Sequence, residues 1–245
     1  MDAMLSSRCS GRRVNGSVLK RPSAGNLITP IFLIFPIIPT NSLTPKLPST
    51  PRMNYRIILS SNSPRRRELL AGLDIDFTVR VLPDIDESYP ADLPVREIPI
   101  YISRKKAEAY RKTMAPDELV ITADTVVVLG REVLGKPAGR DEAVAMLRKL
   151  SGQRHQVITG VCLSTCDRQH SFEVTSHVTF KTLTEQEISY YVDRYQPFDK
   201  AGAYGIQEWI GYIGVTSLEG SYFNVMGLPV QRIYTELQRF VNETC

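Results

Sequence analysis

The sequence predicts an α/β protein built on one mixed β-sheet. Three observations carry this. From Tyr55 onward, short apolar runs of strand length alternate with amphipathic helical patterns. Two long runs rich in β-branched residues, 157–166 and 171–182, lie in the middle and read as a hairpin rather than a helical crossover. The chain of 245 residues, 42% apolar and 23% charged, has the composition of a soluble globular protein with a sizeable core.

The elements follow in order. Residues 56–60 (RIILS) form a buried strand. Ser63-Pro64 then opens a helix, because Ser caps and Pro tolerates the first helical position, and Gly72 marks its end. Residues 77–82 read as a strand and 83–90 as an acid-rich loop. A helix is expected over 96–112. The buried strand 119–123 runs into Asp124, at its carboxyl end. Gly130-Arg131 joins 126–129 to 132–134 as a hairpin. A helix over 140–150 places Ala143, Met146, Leu147 and Leu150 on one face. After the long hairpin, which turns through 167–170, Thr184 and Glu187 form a capping box that opens a helix to about Tyr195. Segments 201–207 and 212–216 read as strand or loop, 220–229 as a polar loop, and 229–241 as the closing helix.

Residues 1–52 differ in kind. They are rich in Ser, Pro, Arg and Asn, and their apolar run 27–38 is broken by Pro30 and Pro36. That run is shorter than the ~20 residues of a membrane span. A basic start before a short apolar stretch has the look of a signal peptide, but no A-x-A-like site follows. We expect a disordered or artefactual extension, with the domain over 53–245. Seven of the 30 basic residues and one of the 26 acids lie in residues 1–52. The body is left with a net charge of −2, which argues against a general nucleic-acid-binding field. Cys9, Cys162, Cys166 and Cys245 are too few and too scattered for a disulfide scaffold. Cys162 and Cys166 are expected on one face of a strand, with no zinc-ligand spacing to the three histidines.

Six segments carry candidate chemistry. At Ser61, Ser63, Arg65 and Arg66 a strand feeds a polar turn and a helix N-terminus, where free N–H groups, hydroxyls and guanidinium groups suit phosphate. Asp124, with Thr125 beside it, is placed to hold a cation or activate a water. Lys136, between Gly135 and Pro137, can reach a phosphate, although the segment is not a Walker motif. Asp84, Asp86 and Glu87 are a second source of metal ligands. The run from Asp199 to Gln207 combines small residues with an amide able to read a base edge. The last is the polar loop 220–229. Together they meet the needs of a nucleoside triphosphate.

Taken in order, the segments S-x-S-P-R-R-x-E-L-L (61–70), A-D-T-V-V (123–127), G-K-P (135–137), M-L-x-x-L-S-G-x-x-H-x-V-x-T-G-V (146–161), D-K-A-G-A-Y-G-I-Q (199–207) and G-S-Y-x-N-V-M-G-L-P (220–229) resemble the Maf family of nucleotide pyrophosphatases. The resemblance covers about 55–241. It implies a Maf/ITPase-like elongated mixed sheet flanked by helices, with a central nucleotide-binding cleft, often in a dimer. It implies hydrolysis between the α and β phosphates with Mg²⁺ or Mn²⁺, as house-cleaning of the nucleotide pool in the cytoplasm, with neither nucleic acid nor membrane as partner. Asp124 falls where the family has its general base. Ser61, Ser63, Arg66, Lys106 and Lys136 fall on phosphate contacts, and Asp124, Glu87 and Asp199 on metal contacts. Arg65, Thr125 and Gln207 match the dTTP/UTP group; the group acting on 7-methyl-GTP carries Trp, Gln and Glu there. A nucleotide-binding regulator of cell division is the alternative from another class.

Overall fold

The computed structural model describes residues 55–242; the extension 1–52, Met53, Cys9 and Cys245 lie outside the described residues. In chain order the elements are β1 (Arg56–Ser60), α1 (Pro64–Ala71), β2 (Phe77–Val79), α2 (Ile98–Arg111), β3 (Glu118–Leu129), β4 (Glu132–Leu134), α3 (Arg140–Leu150), β5 (Arg154–Ser164), β6 (Gln169–Phe180), α4 (Glu185–Tyr195), a 3₁₀ turn (Ala201–Ala203), α5 (Trp209–Gly214), β7 (Val215–Glu219), α6 (Tyr222–Met226) and α7 (Val230–Asn242). Seven strands form one mixed sheet in the order β2-β1-β3-β5-β6-β7, with β4 also paired to β3. β2, β1 and β3 are parallel; the other pairings are antiparallel.

Several expected boundaries move. Asp124 does not end a strand. β3 runs on to Leu129, because β5 pairs with it without interruption from Val120 to Val128 and carries the polar Asp124-Thr125 step through. β2 stops at Val79 rather than residue 82, since β1 ends at Ser60 and offers no further ladder. Residues 209–214 are helical and 215–219 extended, where a single strand or loop was expected over 212–216. The loop 220–229 contains α6, capped by Ser221 and closed by Gly227 at φ 111°. Helices of five or six residues are too short to display a period. Cys162 and Cys166 do not share a face: Cys162 is buried in β5, while Cys166 lies beyond its end and is exposed. Burial pushes the Cys162 thiol up to about 12, so it is a packing group and not a nucleophile.

The two faces of the sheet are covered differently. On one, α2 packs Ile98 and Ile102 against Val126, Val128 and Ile158. Gly160 allows this approach, because a Cβ there would stand 2.3 Å from the backbone of Pro99 and Ile100. On the other face there are two separate cores. One joins Leu119, Ile121, Ala123 and Val161 to α1 and α7 through Leu70, Ile233 and Leu237. The second joins Val127, Val157, Val178 and Phe180 to α3 and α4 through Leu147, Leu150 and Ile188. Between them one hydroxyl interrupts each central strand: Thr125 on β3, Thr159 on β5 and Ser176 on β6.

Buried Asn224 of α6 sits on this polar seam. Its Nδ2 donates to Val157 O at 3.1 Å and Ser176 Oγ at 3.0 Å, and its main-chain carbonyl accepts from Thr159 Oγ1 at 3.3 Å.

Candidate active site

The sheet has an opening beside the seam. β1 accompanies β3 only as far as Thr122, and β4 joins the same side only at Val127. At residues 123–126 that side of β3 has no strand partner among the described residues. Asp124 and Thr125 therefore line a cleft that opens to solvent. The crevice expected at a strand end is instead a gap between two successive partners of one continuous strand.

The turn between β1 and α1 forms one wall. Ser63 caps α1 by accepting from Arg66 N at 3.4 Å, and Ser61 Oγ accepts from Ser63 N at 3.2 Å. The positive end of α1 is thereby set beside the cleft. Ser63, Arg65 and Arg66 line the cleft; Ser61 is buried behind them and shapes the turn. Arg66 aims three donors at the protein: Nε to Gly227 O at 2.8 Å, one terminal nitrogen to Ala123 O at 2.8 Å, the other to Thr125 Oγ1 at 3.0 Å. It ties α1, β3 and the end of α6 together, and burial lowers its guanidinium pKa. Thr125 Oγ1 also lies 3.0 Å from Thr159 Oγ1.

Lys106 of α2 reaches the cleft from the opposite face. Its Nζ is 2.9 Å from Asp124 Oδ1 and 2.9 Å from Glu87 Oε1, with 12% of the Lys106 side chain and 14% of the Asp124 side chain exposed. Burial opposes ionisation of Glu87, but the Lys106 hydrogen bond and the charges of Lys106, Lys136 and Arg66 outweigh it and lower its pKa. Of the three loop acids only Glu87 joins this cluster. Asp86 turns to Lys105 at 2.6 Å.

Asp199 stands on the far wall. It accepts from Arg65 at 2.9 Å and from Lys200 at 2.7 Å. Burial opposes its charge, yet these two bonds hold its carboxyl at about 2. Lys136 and Gln207 line the cleft, the former in the loop that follows β4. Gly202, at φ 67°, donates to Gly135 O at 3.0 Å and so fastens the Asp199 loop to the Lys136 loop.

A divalent cation can be tested against this donor set. Asp124 and Glu87 already share one cation, the Lys106 ammonium. Two carboxylates suit Mg²⁺ or Mn²⁺ when phosphate oxygens and water complete the shell. Among the described residues no three His, Cys, Asp or Glu side chains gather where they could hold a metal ion. Asp199 has two cationic partners of its own and is not joined to the pair.

Behind the far wall stand groups to which the motifs give no role, although Lys200 and His155 are among their letters. Lys200 is buried and lies between Asp199 and Glu208. Its signal in the sequence is its place in the D-K-A-G-A-Y-G-I-Q segment. Tyr191 lies outside the motifs. His155 is buried against Phe180 and Tyr204, and its Nε2 is 2.8 Å from the hydroxyl of Tyr204, a residue that lines the cleft.

Burial holds the His155 imidazole down at about 4. An unfolded chain protonates this group near 6.5, so between those values the unfolded state binds more protons. Stability is therefore full above about pH 6.5 and falls as pH drops toward 4, by up to about 3 kcal/mol for this group. The expected result is a smaller loss of urea midpoint between pH 7 and pH 4.5 in His155→Gln than in the unaltered protein. Equal losses would show that His155 does not contribute.

A cleft that joins a helix N-terminus, several cations and a pair of carboxylates has the chemistry to take a polyphosphorylated small molecule. Residues 56–240 match the family model described as Maf-like protein, and the chain belongs to this family. It is 65% identical over 185 residues to a dTTP/UTP pyrophosphatase of Bacteroides thetaiotaomicron, covering 76% of this chain and 96% of that protein. It is 63% identical over 186 residues to a dTTP/UTP pyrophosphatase of Parabacteroides distasonis, with the same coverage. Among solved structures it is similar to the nucleoside-triphosphatase (dITP/XTP pyrophosphatase) of Mycobacterium abscessus. There the TM-score is 0.39 and the identity 12%, over 77% of this chain and 96% of that one.

Proposed function

We propose that this protein hydrolyses dTTP and UTP to the nucleoside monophosphate and pyrophosphate, as its Bacteroides and Parabacteroides relatives are named for doing. One observation carries the base assignment. Gln207 Oε1 is buried beside the cleft and has no hydrogen-bond partner among the described residues. A buried acceptor left alone is costly, so a bound ligand that supplies a donor is favoured. Thymine and uracil both present an N3–H flanked by two carbonyl oxygens, which fits a carboxamide that can accept and donate together. Cytosine has no hydrogen at N3.

The proposed chemistry uses groups in reach of one another. Asp124 accepts a proton from the water whose oxygen attacks the α-phosphorus; the bond from that phosphorus to the oxygen bridging the α and β phosphates breaks, and pyrophosphate leaves. Arg65, Lys136 and the N-terminus of α1 neutralise the charge that grows on the leaving group. Ser63 contributes its hydroxyl at the same helix end. Arg66 and Thr125 hold the floor of the cleft, and Ser61 holds the turn. Asp124 and Glu87 would hold Mg²⁺ or Mn²⁺, which supplies Lewis-acid polarisation of the phosphates. Lys106 spaces these two carboxylates.

No helix of the described residues is long and apolar enough to cross a membrane. A cytoplasmic house-cleaning role, and assembly as a homodimer, complete the proposal.

The test is pyrophosphate release from the purified protein with Mg²⁺ or Mn²⁺ across dTTP, UTP, CTP, dATP, GTP and 7-methyl-GTP. Turnover of dTTP and UTP at least about tenfold above the rest is expected, as is loss of that preference in Gln207→Glu, which replaces the amide donor by a second acceptor. Activity confined to 7-methyl-GTP would overturn the base assignment. Absence of turnover on every nucleotide would favour a binding role in cell division.

A further inference from the structure

Gln207 lies in a four-residue turn, 205–208, closed by Glu208 N donating to Gly205 O at 3.0 Å. A single phenol grips both ends of that turn. Gly205 N donates to Tyr191 Oη at 3.0 Å, and Tyr191 Oη donates in turn to the Glu208 carboxylate through Oε2. Tyr191 is wholly buried in the core under α4, so packing fixes where its hydroxyl stands. The other Glu208 oxygen takes Lys200 Nζ at 3.1 Å. Lys200 also donates to Asp199 Oδ1, and Asp199 Oδ2 accepts from Arg65.

A chain of charge-assisted bonds thus runs from the α4 core to the arginine on the phosphate wall. Gly205 makes the coupling tight. A Cβ at that position would stand 2.9 Å from Gln207 Nε2 and 2.9 Å from Glu208 Cδ, so amide and carboxylate pack on the same glycine. Although Lys200 lines the cleft, its ammonium sits between two carboxylates, and its charge is spent on them rather than on a phosphate.

We infer that Tyr191, Glu208 and Lys200 are positioning residues that set the Gln207 carboxamide relative to the Arg65 guanidinium and thereby fix the discrimination between pyrimidine bases. The inference rests on the dTTP/UTP reading above. Tyr191 and Glu208 are bonded to the turn and to Lys200, whereas Asp124 and Glu87 are bonded to Lys106.

The experiment compares kcat and KM for dTTP, UTP and CTP in the unaltered protein, Tyr191→Phe, Glu208→Ala and Glu208→Gln, with melting temperatures alongside. Tyr191→Phe keeps the buried ring, so it decides the matter even where Glu208→Ala does not fold. In Tyr191→Phe and Glu208→Ala, KM for dTTP and UTP is expected to rise about tenfold, with kcat within about twofold. The dTTP-to-CTP ratio of kcat/KM is expected to fall about tenfold. Glu208→Gln keeps an acceptor for the phenol and is expected to recover part of that ratio. An unchanged ratio in Tyr191→Phe, with dTTP and CTP falling together, would mean a merely structural role and overturn the inference. An unaltered protein that does not itself distinguish dTTP from CTP would remove the reading beneath it as well.

Discussion

Asp124→Asn is expected to lower kcat for dTTP by about 10²–10³-fold, with the melting temperature unchanged. The carboxamide has the shape of the carboxylate and still offers an oxygen to Lys106, whose ammonium keeps Glu87 as its counter-ion at 2.9 Å. The pairing of β3 with β5 involves only backbone at this position, so the strand does not depend on the side-chain charge. What is lost is the proton acceptor. Steady-state pyrophosphate release at saturating dTTP measures the effect, and a thermal melt checks the fold. Recovery of turnover at high Mg²⁺ or Mn²⁺ would show that Asp124 acts as a metal ligand alone. Ordinary turnover without it would end the assignment of Asp124 as base.

The second large effect is on stability. Arg66→Ala removes three donors that join α1 to Ala123 and Thr125 of β3 and to Gly227 at the end of α6. The carbonyl oxygens then lose a charged partner in a part-buried place. A loss of about 2–4 kcal/mol is expected, discounted from the sum of three such bonds because the side chain is not wholly enclosed. Arg66→Lys should recover less than half, since a single ammonium cannot serve three acceptors spread around a planar fork. Urea unfolding midpoints measure both. A variant with unaltered midpoint but weakened nucleotide binding would return Arg66 to the direct phosphate role its motif implies.

Much of the fold was legible. Ser63-Pro64 at the start of α1, the Thr184/Glu187 box at the start of α4, and the apolar face of α3 are local features, and local patterns report them. The candidate residues were legible by type for the same reason. Their arrangement was not. The gap at residues 123–126 depends on where β1 stops and β4 starts, and neither end is visible within β3 itself. Arg65 meets Asp199 across 134 positions of chain, a contact no local pattern reports. Lys106 appeared only through the resemblance, because a lysine on a basic helix looks like a solvated one. Tyr191 and Glu208 escaped altogether: a buried tyrosine on an amphipathic helix is ordinary, and only its hydroxyl's two partners set it apart.

The unbroken pairing of β3 with β5 bears on how such a protein can change over generations. Asp124 rides on a backbone ladder running from Val120 to Val128, whereas Lys136, Asp199 and Gln207 ride on the connections around it. Connections accept insertions and replacements more readily than central strands do. The group assigned to proton transfer is thus inherited with the architecture, while those assigned to the phosphate tail and the base can be redrawn around it. Change at residues 199–208 can therefore reshape the wall that carries Gln207 while the strand that carries Asp124 stays as it is.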